Sequence, residues 1–209
     1  MKETPLWYRL LWILALVIFK VFFGLRIYGR ENIPLKGGVI LASNHLSYLD
    51  PIVLGLLTPR KMNFMAKREL FENFFFRLLI TKLGAFPLKR GRLDRSSYEK
   101  ALSLMREGKI LALFPEGTRS EKGKLRSLRK GAAKIAFKTG APLVPIIIKG
   151  TDKALPKGKR MVKLAKIRVR IGKPLKVETF TPEKNADEYV DRLHKELERR
   201  MVSLGISEE

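Results

Sequence analysis

Val39-Ile40-Leu41-Ala42-Ser43-Asn44-His45-Leu46-Ser47-Tyr48-Leu49-Asp50-Pro51 runs from an apolar stretch through a polar turn to a proline, and Ile52-Val53-Leu54-Gly55-Leu56-Leu57 follows. An apolar run with no polar alternation suits a strand buried on both faces, as in a parallel sheet. Asp50-Pro51 reads as an N-cap and first-turn proline opening a short helix over Pro51–Leu57, and Ser47, three residues earlier, resembles half of a capping box. A buried strand that turns straight into a helix is the unit of an α/β fold.

The turn holds one of the chain's two histidines, with an aspartate five positions on. Neutral histidine is the commonest general base near neutral pH, and a carboxylate can fix its tautomer and stabilise its protonated form. In a continuous helix, residues five apart point about 140° away from each other. In a strand they lie roughly 16 Å apart on opposite faces. A bond between His45 and Asp50 therefore needs a tight bend across Leu46–Leu49. A capping aspartate beside a core histidine is the competing explanation, and both roles can coexist because a carboxylate has several acceptor sites.

A second stretch repeats the pattern. Ile110-Leu111-Ala112-Leu113-Phe114 is a buried strand leading into Pro115-Glu116-Gly117-Thr118-Arg119-Ser120. Here a strand end presents an acid, a glycine whose backbone allows close approach, and an arginine. Ligands of open α/β sheets bind at such carboxyl ends. An exposed turn with a surface Glu–Arg pair would look the same.

Elsewhere the periodicity predicts strands at Asn63–Ala66, Gly84–Leu88, Leu143–Ile148 and Ile167–Gly172. Pro145 suggests that Leu143–Ile148 is an edge strand, a strand end or a bulge. Helices are expected over Leu70–Leu83 (apolar nearly all round, so buried or facing lipid), Ser96–Arg106, Arg129–Lys138 and Thr181–Met201. Thr151–Lys166 reads as a lysine-rich surface loop, and His194, among charges on the last helix, as a solvated residue.

The 209 residues suit one substantial core. Without cysteine there are no disulfides, and two histidines give no expectation of a metal site. Forty-three Lys and Arg against twenty Asp and Glu leave a net charge of +23, which attracts polyanions. Aromatics sit in apolar runs and are not interleaved with arginine, which argues against nucleic acid and leaves an anionic membrane surface or phosphorylated substrates. Leu6–Leu25 (LWYRLLWILALVIFKVFFGL) is apolar except for Arg9 and Lys20. Its uncharged core is shorter than the ~20 residues of a perpendicular span, so it would cross only with snorkelling ends, or else lie in the interface. The expected organisation is a membrane-associated helical segment over 1–27 and an α/β domain over 28–209, with a mostly parallel central sheet flanked by helices.

Four segments together resemble the glycerolipid acyltransferase family: Asn44-His45-x-Ser47-x-x-Asp50, Gly84-Ala85-Phe86-Pro87-Leu88-Lys89-Arg90, Phe114-Pro115-Glu116-Gly117-Thr118-Arg119-Ser120, and Val144-Pro145-Ile146. They are most similar to the subgroup that acylates 1-acylglycerol 3-phosphate. The resemblance implies that His45 is a general base oriented by Asp50. It implies that Arg90, Glu116, Gly117 and Arg119 hold the glycerol-phosphate part, with Lys67 and Lys89 as further phosphate ligands, and that Val144, Pro145 and Ile146 form an acyl-binding wall. The implied acceptor is lysophosphatidic acid and the donor acyl-CoA or acyl carrier protein, with no resident cofactor, at the cytoplasmic face of a membrane. Glycerol 3-phosphate or another lyso-lipid would be alternative acceptors. A nucleophilic Ser47 would be an alternative mechanism, and a non-catalytic basic membrane-binding protein an alternative of another class.

Overall fold

The computed structural model describes residues 4–88, 94–120, 125–159, 161–177 and 185–206. Strands β1 (Arg26–Tyr28), β2 (Val39–Ser43), β3 (Met62–Lys67), β4 (Ala85–Leu88), β5 (Ile110–Leu113), β6 (Leu143–Lys149) and β7 (Arg168–Ile171) form one sheet in the order β1-β7-β6-β2-β5-β3-β4. All neighbours are parallel except β6 and β7, which are antiparallel. The mostly parallel α/β architecture is therefore as the sequence predicts. Every residue of β2 and β5 is buried, the outcome expected of runs without polar alternation. From β2 the chain moves outward to β3 and β4, returns to β5, and then crosses to β6 on the other side. A cleft at the carboxyl ends of the central strands is the usual consequence.

Helices α1 (Leu6–Phe23) and α2 (Asp50–Gly55) contribute Phe19, Phe23, Val53 and Leu54 to one apolar cluster with Leu41, Ile110, Val144 and Ile146. Helices α4 (Arg95–Arg106), α5 (Gly131–Thr139) and α7 (Ala186–Ile206) pack in a second cluster with Ile40, Leu111 and Leu143. Because the inner residues of α1 join the sheet core and β1 pairs with β7, the helical segment and the α/β body share packing across residue 27.

Several local expectations change. Asp50 does not cap α2: the N-cap position is Leu49, with no side-chain capping bond, and the aspartate turns back into the preceding bend. Ser47 Oγ donates to the Leu155 carbonyl at 2.8 Å, so it makes no capping box. The apolar stretch at 70–83 splits into a 3-10 turn (Arg68–Phe71) and α3 (Phe74–Lys82). No residue of α3 is buried, and Phe74, Phe75, Phe76, Leu78 and Leu79 face outward. Within Thr151–Lys166, Thr151–Ala154 forms a short helix, α6. Strand β6 is internal, lying between β2 and β7. Its Pro145 is tolerated because the carbonyl accepts from Gly172 just past the end of β7, so the missing donor points at the place where that pairing stops.

Candidate active site

The bend after β2 brings the predicted pair together. His45 Nδ1 lies 2.8 Å from Asp50 Oδ2, and the same oxygen accepts the Leu46 and Ser47 amides at 2.6 and 2.7 Å. Two backbone amides already converge on this carboxylate oxygen, which only accepts, so the bond to the imidazole is satisfied by the tautomer with its proton on Nδ1, and Nε2 then keeps its lone pair. Asp50 is fully buried, whereas the His45 side chain is 18% exposed, so the pair has a closed back and an open front. Phe114 stacks on the imidazole with ring centroids 4.0 Å apart and planes 17° from parallel, and this fixes the ring plane. Asn44 anchors the start of the bend: its side chain donates to the Ile148 carbonyl (2.9 Å) and accepts the Ile148 amide (2.7 Å) on β6.

The loop after β5 lies directly against this bend. Ser120 donates its amide to the His45 carbonyl at 2.7 Å, and its hydroxyl reaches the same oxygen at 3.2 Å. Glu116 accepts the His45 amide at 2.8 Å on Oε1 and the Arg126 amide at 3.0 Å on Oε2. Burial pushes the Glu116 carboxyl up from its ordinary value, and the Arg126 and His45 amides draw it back. Gly117 has φ +70°, and a Cβ there would stand 2.7 Å from the Arg129 guanidinium carbon, so only glycine fits without displacement.

A cleft of about 570 Å³ opens in front of His45. Polar and charged groups line it: Lys67, Glu69, Gly117, Thr118, Arg119, Arg129 and Lys157. Apolar groups line it as well, among them Met65, Leu70, Leu88, Leu113 and Ile135. Arg119 lies 3.8 Å over the Tyr48 ring, a cation–π contact that holds its guanidinium beside the cleft. With four cations against one acid beside apolar groups, the arrangement can take an amphiphile with an anionic head, and His45 lines the same cleft.

Of the residues singled out in sequence, His45, Asp50, Gly117, Arg119 and Lys67 are gathered here. Lys89 and Arg90 lie outside the described residues; Leu88, just before them, lines the cleft. Glu116 is 4% exposed and is not among the cleft-lining residues, because both its oxygens turn inward to backbone amides. Val144 and Ile146 are fully buried in the cluster beneath α1 and α2, and with Pro145 they are absent from the cleft lining. The apolar lining comes instead from β3, β5, α5 and their loops. Ser47 is fully buried with its hydroxyl committed to Leu155, so it is not set up as a nucleophile. Sequence reasoning missed Phe114, Tyr48, Ser120 and Arg129 as site residues. The first three stand within the motif segments, where residue type alone does not reveal a stacking or clamping partner.

An acyltransferase family model matches residues 24–149. The chain is 34% identical over 195 residues to a 1-acyl-sn-glycerol-3-phosphate acyltransferase of Bacillus subtilis, covering 90% of this chain and 95% of the relative. It is 35% identical over 158 residues to a chloroplastic 1-acyl-sn-glycerol-3-phosphate acyltransferase of Arabidopsis thaliana, covering 74% of this chain but 44% of that longer relative. The crystal structure of the 1-acyl-sn-glycerophosphate acyltransferase PlsC from Thermotoga maritima superposes with a TM-score of 0.74 at 28% identity, covering 100% of this chain and 86% of that one. With a family model over more than half of its residues and a bacterial relative similar along nearly its whole length, the chain belongs to the acyltransferase family.

Proposed function

We propose that this enzyme moves a fatty acyl group from an acyl thioester, acyl-CoA or acyl carrier protein, to the free sn-2 hydroxyl of 1-acylglycerol 3-phosphate, giving phosphatidic acid. What carries this function is the convergence of the His45–Asp50 pair with the Gly117–Arg119 loop and Lys67 on one cleft lined by both cationic and apolar residues. The relatives from Bacillus subtilis and Arabidopsis thaliana bear the matching name.

In this scheme the acceptor phosphate lies against Arg119 and Lys67, whose donors match its oxygens, and its hydroxyl faces His45 Nε2. His45 takes the hydroxyl proton as the oxygen attacks the thioester carbonyl, and Asp50 stabilises the imidazolium so formed. Collapse of the tetrahedral intermediate breaks the C–S bond, and His45 returns the proton to the departing thiolate. No acyl-enzyme forms and no resident cofactor takes part. A thioester is already activated, so positioning and one base can supply most of the acceleration.

Membrane association belongs to the same proposal. Helix α1 has 18 residues and is long and apolar enough to cross a membrane, with a length of about 27 Å. Its Phe19 and Phe23 are packed on the sheet core, whereas Leu10, Leu14, Val17 and Val21 face outward. Held along one side by its own domain, the helix in this proposal rests in the interface with its outward face toward lipid. By the right-handed crossover rule, α3 lies on the same side of the sheet as α2, so its outward phenylalanines add to the face that α1 covers. The anionic cytoplasmic leaflet would complement the charge of +23.

The test is an acceptor panel. Purified enzyme on anionic vesicles, with labelled acyl-CoA or acyl carrier protein, is offered lysophosphatidic acid, glycerol 3-phosphate and lysophosphatidylcholine. Lysophosphatidic acid should be acylated at a kcat/KM at least tenfold above the others. A preference for either of the others overturns the substrate assignment.

A further inference from the structure

We infer that Glu116 is a positioning residue that holds the His45 backbone in place, and that it is not a ligand for the substrate. This goes beyond the proposed acyl transfer and rests on it only for the kinetic part of the test.

His45 stands just beyond β2, where the sheet ladder no longer supplies partners for its peptide groups. Both groups are taken instead by the loop after β5. Its amide goes to Glu116 Oε1 at 2.8 Å, and its carbonyl accepts from Ser120 at 2.7 Å. One five-residue stretch, 116–120, therefore grips the histidine on both sides, and Gly117 and Arg119 between those grips line the cleft. The second Glu116 oxygen binds the Arg126 amide at 3.0 Å, tying in the segment that leads to Arg129 and α5. The general base and the cationic wall are thus joined through one buried carboxylate.

The chemistry excludes the alternative. An ionised carboxylate only accepts hydrogen bonds and repels a phosphate, so it suits converging amides and not an anionic head group. Both oxygens are occupied, the side chain is 4% exposed, and it does not line the cleft. Charge-assisted bonds to amides are also stronger than neutral ones, which explains an acid where glutamine would have nearly the same shape. In Glu116→Gln the amide nitrogen faces either the His45 or the Arg126 N–H, so one of these two bonds, which together join the base to the following segment, must open.

The test uses the full-length protein in a His194→Gln background, which leaves His45 as the one imidazole. Glu116→Gln is compared with that parent for kcat and KM toward lysophosphatidic acid, and by NMR of the His45 ring nitrogens and the Nδ1 proton. A shift of about 1 Å in a reacting group can cost about a hundredfold, so kcat should fall by that order while acceptor KM stays within about twofold. The Nδ1 proton signal should shift or broaden. An acceptor KM raised tenfold or more at unchanged kcat, or ring resonances identical to the parent, overturns the assignment. If Glu116→Gln fails to fold, Glu116→Asp keeps the charge but is one methylene too short for both amides, and the same readouts decide. If the parent acylates no lyso-lipid, the proposed function fails, while the NMR comparison still decides the role of Glu116.

Discussion

Asp50→Asn separates charge from shape at the heart of the site. All three of the aspartate's bonds converge on Oδ2, and Oδ1 is buried with no partner. An asparagine that keeps its oxygen at the Oδ2 position preserves every contact and places its amide where Oδ1 was. The flipped rotamer would set that amide against two backbone N–H groups and is excluded. What disappears is the negative charge facing the imidazolium of the transition state. Two unit charges about 4 Å apart interact by about 4 kcal/mol at an effective dielectric of 20. The front of His45 is open to solvent, so roughly half of that is a fair expectation. At about 1.4 kcal/mol per decade, kcat should fall by about 30-fold or more, with acceptor KM unchanged. The buried amide without an acceptor costs about 1 kcal/mol of stability. Asp50→Ala should do more, because it leaves the Leu46 and Ser47 amides without their acceptor as well. Steady-state kinetics with lysophosphatidic acid, paired with thermal melts, read both effects. A kcat for Asp50→Asn within twofold of wild type would refute the role of the carboxylate, whatever the melts show.

Three further outcomes are expected. Gly117→Ala forces a Cβ into the left-handed region, at roughly 1–2 kcal/mol, and against the Arg129 guanidinium, so both Tm and acceptor affinity should fall; unchanged KM would detach this loop from the acceptor. Val17→Glu on the outward side of α1 should abolish co-sedimentation with anionic vesicles while thermal stability is kept, and retained binding would remove α1 from the membrane contact. On α7, Arg199 and Arg200 hold the Glu196 carboxyl down to about 2, so its contribution to stability is present above the ordinary value of 4.5 and is lost as pH falls from there toward 2. The pair is exposed, so the loss in Tm should be small, and both Glu196→Gln and high salt should flatten it.

How far the sequence could be read depended on whether a signal was local. Apolar runs without alternation marked β2 and β5, and the five-residue interval between His45 and Asp50 demanded the bend that the fold supplies. The direction of a loop side chain is not local. Glu116 looks like a surface acid until the path of the chain after β5 turns it toward the end of β2. Asp50 carries every residue-type signal of an N-cap, yet its carboxylate satisfies amides before the helix and none within it. Pro145 suggests a sheet edge, but it occupies an internal strand because β7 ends opposite its missing donor. The phenylalanines of α3 read as core because hydrophobicity reports a preference for leaving water; their outward placement assigns that preference to something other than the sheet core.

The claim on which everything else depends is that one imidazole takes a proton from a lipid alcohol. The direct measurement is transfer of labelled acyl groups to lysophosphatidic acid on vesicles by wild type and by His45→Gln, each verified as folded by circular dichroism. Labelled phosphatidic acid should form with wild type and fall by a thousandfold or so with the variant, within the range that removing a general base can cost. Equal rates from the two proteins would contradict the account.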